Sequence, residues 1–126
     1  MKTKSVFWIT VVSMMVIIIL TGTGCQSQQA AASQAADITV VTSEFKFNPN
    51  TITVHMGQRV RVTLDNTKGT LKHDFHQPDL NLHAEVDAGK TTVFEFTPTK
   101  VGTFDLTCDV PGHKDAGMVG KLIVQP

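Results

Sequence analysis

Three residues whose side chains could share one metal ion stand in a row near the C-terminus. They are Cys108, His113 and Met118, with four residues between each neighbouring pair. The intervening Asp-Val-Pro-Gly and Lys-Asp-Ala-Gly contain Pro111, Gly112 and Gly117. A loop rich in such residues can fold back tightly enough for all three side chains to point at one centre. Thiolate and thioether sulfur are soft donors and imidazole is intermediate. That set selects copper over magnesium, calcium or manganese. A second imidazole is needed, and His73, in His73-Asp74-Phe75, lies on a candidate strand. Read from the residues alone, Cys108 could instead be a buried structural thiol, or a nucleophile with His113 as its base. Met118 could be core filler.

The elements that must position these residues read as all-β. Apolar and polar residues alternate with a period of two, and β-branched residues are frequent. Candidate strands cover 38–42, 51–54, 59–64, 72–76, 82–86, 91–96, 103–108 and 119–124. Val60, Val62 and Leu64 share one face, and Arg59, Arg61 and Thr63 the other. Phe104, Leu106 and Cys108 also fall together. Asn48-Pro49-Asn50, Asn66 to Gly69, Ala88-Gly89-Lys90 and Thr97 to Gly102 supply turns between the runs. About eight short strands at this spacing imply a Greek-key β-sandwich or small barrel. No segment carries a helical period, and there is no internal repeat. Phe45, Phe47, Phe75, Phe94, Phe96 and Phe104 are the aromatic core candidates.

The ligand-bearing segments resemble a known family. His73-Asp74-Phe75, the run from Gly89 to Phe104, and Cys108 to Gly120 are similar to the cupredoxins, the small blue copper proteins. The likeness is greatest to plastocyanin-like members with a longer loop between Cys and His, such as auracyanin and rusticyanin. It covers essentially all of residues 37–126. It implies that His73, Cys108 and His113 are equatorial copper ligands and Met118 a weak axial one. It implies a one-electron carrier holding one copper per chain, an Cu(I)/Cu(II) centre with no substrate of its own. Plastocyanin has two residues fewer between Cys and His. A dinuclear copper site would need a second Cys where Gly112 stands, so that arrangement is excluded. In the family the imidazole in the loop, here His113, is the surface electron port. Leu71, Pro111, Gly112, Ala116 and Gly117 would form an apolar docking patch around it, rimmed by Lys72, Lys114 and Asp115. Asp74 and Asp109 each follow a ligand, and in the family these positions tie the ligand loops together. Two facing carboxylates would repel unless one is protonated or each caps backbone amides. The expectation is a reduction potential that varies with pH through this pair. The runner-up functions are copper binding and delivery, or a red-copper-like site with an open coordination position.

The rest of the chain bears on location. Lys2 and Lys4 precede a nearly apolar run from Val6 to Leu20, the pattern of a signal peptide. Leu20-Thr21-Gly22-Thr23-Gly24-Cys25 follows, and small residues before a single Cys resemble the lipobox of bacterial lipoproteins. The expected organisation is a signal peptide over 1–24, a lipid-anchored flexible linker over 25–36 with Cys25 carrying the lipid, and one folded domain over 37–126. An uncleaved N-terminal anchor is the alternative, and either places the domain outside the cytoplasmic membrane. Residues 26–36, QSQQAAASQAA, are uncharged and low in complexity, as a spacer requires.

The 126 residues carry 11 basic and 11 acidic side chains. Lys2 and Lys4 are two of the 11 basic ones, leaving 9 against 11 acids from Cys25 onward, a net charge of −2. That balance argues against nucleic acid as a partner, because phosphate binding needs a basic face. The resemblance instead implies redox partners, c-type cytochromes or a membrane terminal oxidase, and a monomer. With Cys25 committed to a lipid, Cys108 is a lone thiol and the fold has no disulfide. His76, three residues beyond His73, should face the opposite side of its strand. His55 and His83 read as solvated.

Overall fold

The computed structural model describes residues 34–126, so Cys25 and the expected signal and lipid-attachment segments lie outside the described residues. Among the described residues nine strands form two sheets. They are β1 (Ala36–Ser43), β2 (Lys46–Asn48), β3 (Thr51–His55), β4 (Val60–Asp65), β5 (His73–Gln77), β6 (Leu82–Val86), β7 (Thr91–Phe96), β8 (Gly102–Thr107) and β9 (Val119–Gln125). One sheet has the order β2-β1-β4-β7 and the other β3-β9-β8-β5-β6. β1 runs parallel to β4, and β3 parallel to β9. The remaining pairs are antiparallel. The only helical element among the described residues is a single 3-10 turn, Pro78–Leu80. Among those residues no helix is long and apolar enough to cross a membrane.

The alternation that defined the strands also builds the core. Val60, Val62 and Leu64 of β4 are buried while Arg61 is exposed, so each β-branched or γ-branched side chain enters the space between the sheets. Val40, Phe75, Leu106 and Leu122 meet them from four other strands, all with 0% exposure. Phe47 and Phe75 touch edge to face across the layers, with ring centroids 6.2 Å apart. Phe45, Phe94, Phe96 and Phe104 pack only partly buried against this cluster.

Two details differ from the sequence reading. β2 is an additional strand of three residues, too short to show a period of two. It exists because Phe45, at φ 61°, turns the chain back so that Lys46–Asn48 pairs with the end of β1. The first strand begins at Ala36, inside the stretch assigned to the linker, because the Ala36 N–H donates to the Arg59 carbonyl at 2.9 Å.

Candidate metal centre

Neighbouring strand ends converge where the β5–β8–β9 part of the larger sheet meets its loops. β8 ends at Thr107, paired with Val119 at the start of β9. Cys108 and Met118 therefore stand side by side just beyond the ladder, and the Cys108 N–H donates to the Met118 carbonyl at 3.2 Å. The nine-residue excursion between them is closed by its own backbone. His113 N–H donates to Val110 O, Ala116 N–H to Gly112 O, Gly117 N–H to Lys114 O and Met118 N–H to His113 O, all within 2.9–3.0 Å. Gly112 and Gly117 sit at φ 84° and 101°, a region that side chains disfavour, so these turns need glycine. His73 opens β5, adjacent to β8.

The side chains then meet. The Nδ1 atoms of His73 and His113 are 3.1 Å apart, and His113 Nδ1 is 3.5 Å from Cys108 Sγ. All three donor atoms lie within 4.8 Å of one another. His73 and Cys108 have 0% exposure and His113 6%. Met118 is fully buried in the same core cluster as Cys108. Among the described residues this is the one group of three such donors placed to hold an ion.

Electrostatics fit the same purpose. Burial holds the His73 imidazole below its ordinary pKa, and the neighbouring His113 pushes the same way, which keeps the ring neutral and its lone pair available. Burial pushes the Cys108 thiol up, against hydrogen bonds from the Asp74 and Val110 backbones that favour the thiolate. The Asp74 N–H reaches Cys108 Sγ at 3.4 Å. Without a cation the buried thiolate is disfavoured; with one it becomes the stable form.

The residues fit copper. Two donors each roughly 2.0–2.3 Å from a first-row ion lie roughly 3–4 Å apart, as His113 does from both His73 and Cys108. One thiolate and two imidazoles make up the His2Cys set that copper takes in trigonal sites, and thioether is its usual distant fourth donor.

The surroundings refine the expected roles. Pro111, Gly112, Ala116 and Gly117, on either side of the buried His113 in the loop, are exposed, and Leu71 is 40% exposed. Phe45 covers His113 edge-on, with ring centroids 5.1 Å apart. The sequence offered no sign of that contact, since it depends on the Phe45 turn. Asp74 and Asp109 do not oppose each other as two bare carboxylates. Asp74 Oδ1 accepts the Asp109 N–H at 2.7 Å, which is the amide-capping arrangement. Asp109 caps no amide: its Oδ1 takes the Thr107 hydroxyl at 2.9 Å, and its Oδ2 pairs with His76 Nδ1. His76 does face away from His73, as expected, but it is only partly exposed. His83 is not merely solvated, because its Nε2 lies 3.5 Å from Asp74 Oδ2.

A two-sheet sandwich with a buried His-Cys-His cluster at one end defines a copper protein of the cupredoxin type. The comparisons agree: residues 13–124 match the family described as Cupredoxin-like domain, and the chain belongs to it. A relative from Rubrivivax gelatinosus, the "copper-resistant cuproprotein CopI", is 33% identical over 117 residues, covering 76% of this chain and 70% of its own. A protein of the same description from Pseudomonas aeruginosa is 43% identical over 56 residues, 44% of this chain and 28% of its own. Among solved structures, dithionite-reduced auracyanin from Roseiflexus castenholzii superposes with a TM-score of 0.62 at 19% identity, over 73% of this chain and 98% of that one.

Proposed function

We propose that this protein carries single electrons through a mononuclear copper centre, outside the cytoplasmic membrane and tethered to it. The observation that supports this most is the convergence of two imidazole Nδ1 atoms and one thiol sulfur in a buried pocket. Copper bound there supplies the Cu(I)/Cu(II) couple. The chain's own residues do the rest. His73, Cys108, His113 and Met118 hold the ion. The Asp74 N–H and the loop's backbone hydrogen bonds fix the donors in one arrangement, so little needs to move when the charge changes. His113, with exposed small residues on either side of it in the loop, is the exit toward a partner, and a shallow apolar patch suits weak, fast-exchanging docking. The electron partners are c-type cytochromes or a terminal oxidase, the chain acts as a monomer, and lipid on Cys25 keeps it at the membrane.

A second reading, copper binding for tolerance, is favoured by the relatives described as copper-resistant cuproproteins. The spectrum of the copper-loaded protein and its reactivity separate the two. An intense thiolate-to-copper visible band, narrow copper hyperfine splitting and rapid reduction by a c-type cytochrome support electron transfer. The same band with no exchange of electrons, but rapid surrender of copper to a chelator, supports tolerance. A weak spectrum unchanged by Cys108→Ser removes both Cys108 and the electron-carrier reading.

A further inference from the structure

The other face of the β5–β6 hairpin holds a second arrangement of imidazoles. His76 and His83 are direct cross-strand partners, so both side chains leave the same face of the sheet. Their ring centroids are 5.3 Å apart and the planes are inclined by 64°. Each ring has one nitrogen engaged by a carboxylate: His76 Nδ1 by Asp109 Oδ2, and His83 Nε2 at 3.5 Å from Asp74 Oδ2. Metal-binding histidines almost always give the second ring N–H to a carboxylate, a backbone carbonyl or water, which fixes the tautomer and makes the free nitrogen more basic. His76 Nε2 and His83 Nδ1 are the nitrogens left over. The two histidines line an open cavity of about 380 Å³ that also includes Glu85, Val110 and Pro111. The one basic group there, Lys72, is drawn to Glu85 at 2.7 Å, which offsets its charge.

We propose that His76 and His83 form a second, exchangeable site for a divalent cation that prefers imidazole, Cu(II) or Zn(II), with Asp109 and Asp74 as the carboxylates that orient the rings. Neither carboxylate is a ligand in this arrangement, and water completes the coordination. The side chains of His76 and His83 are 28% and 57% exposed, so the ion can come and go, unlike one at the buried centre. Imidazole pairs bind Cu(II) more tightly than Zn(II) in general. Zn(II) is the cleaner probe, because it does not outcompete copper at the first centre.

The test uses the whole chain with its first centre loaded with Cu(II), titrated with Zn(II) and followed by calorimetry and by the visible band. One equivalent of Zn(II) should bind while the band persists. His83→Ala should weaken that binding at least about tenfold, and Asp109→Asn about 10–100-fold, the usual loss when an orienting carboxylate is removed. Both histidines are at the surface, so the visible band of each variant reports that the fold is intact. Zn(II) binding that is undiminished in a His76→Ala, His83→Ala double variant would overturn the proposal. So would Zn(II) uptake that bleaches the band, since it would place the ion at the first centre.

Discussion

Asp74 joins the two ligand-bearing segments, and its removal should be felt well beyond one hydrogen bond. Its carboxylate is 6% exposed and accepts the Asp109 N–H at 2.7 Å. Its own N–H points at Cys108 Sγ, so the side chain and the backbone brace the same loop from two directions. A charge-assisted bond of this kind contributes about 1.5–3 kcal/mol, toward the lower part of that range here because the bond is only part-buried. Asp74→Ala should therefore cost about 2 kcal/mol in the metal-free protein. Asp74→Asn keeps an acceptor oxygen but makes the bond neutral, so it should cost roughly half as much. The contact with His83 adds little to either value, because His83 is 57% exposed. For a domain of this size each kcal/mol moves the thermal midpoint by about 4–8 °C, so the alanine variant should melt roughly 8–16 °C lower. Urea unfolding with an unchanged slope would give the free energies directly. An alanine variant within about 0.5 kcal/mol of the parent would refute the bracing argument. So would an asparagine variant as unstable as the alanine one, since the retained acceptor is what distinguishes them.

Acid should release a second brace. The Thr70 N–H and hydroxyl hold the Glu44 carboxyl down to about 2 from its ordinary 4.5, the N–H contributing more. A depressed carboxyl stabilises the fold above its ordinary value, and that contribution is lost as pH falls toward about 2. A Glu44→Gln variant should thus melt below the parent at pH 7 and together with it near the bottom of this range, and a constant gap across pH would contradict it. Metal uptake should release a proton at pH 7, because burial pushes the Cys108 thiol up and the ligand is the thiolate. Anaerobic Cu(II) titrations in buffers of different ionisation enthalpy should give different heats, copper affinity should fall as pH falls, and identical heats would show that Cys108 keeps its proton.

Eight of the nine strands were legible because alternation survives wherever one face is buried. Val60, Val62 and Leu64 are the plainest instance. β2 was not, because three residues carry no period and its pairing depends on the positive φ of Phe45. The division into two sheets was also hidden. Parallel pairing of β1 with β4 joins residues far apart in sequence, and nothing in either strand names its partner. The meeting of Cys108 and His113 was readable since one short loop carries both and its glycines allow it to close, while Met118, at the far end of that loop, is buried in the same core cluster as Cys108. His73 was readable only as a second imidazole on a candidate strand, and its ligand role came from the family resemblance, because only the sheet order brings β5 beside β8.

What escaped the sequence is mostly support. Asn66 read as one residue of a turn, yet it is fully buried. Its Nδ2 donates to the Leu71 and Asp87 carbonyls at 2.8 and 3.0 Å, and its own carbonyl accepts from Gly69 and Gly89. A Cβ on Gly69 would meet Asn66 Oδ1 at 1.8 Å, so the glycine is required by the side chain folded over it. Glu44 then holds Thr70 from outside. The segment leading into His73 is therefore clamped from the interior by Asn66 and from the surface by Glu44, before any metal is considered. The Cys108–Met118 loop is clamped separately, by its own backbone and by Asp74. Donors held this way from several independent directions form a site whose geometry belongs to the fold, and an ion entering it has little left to organise. That is the physical condition for transferring electrons at one fixed geometry, and it contrasts with the open His76–His83 pair on the same hairpin, where carboxylates orient the rings but nothing encloses them.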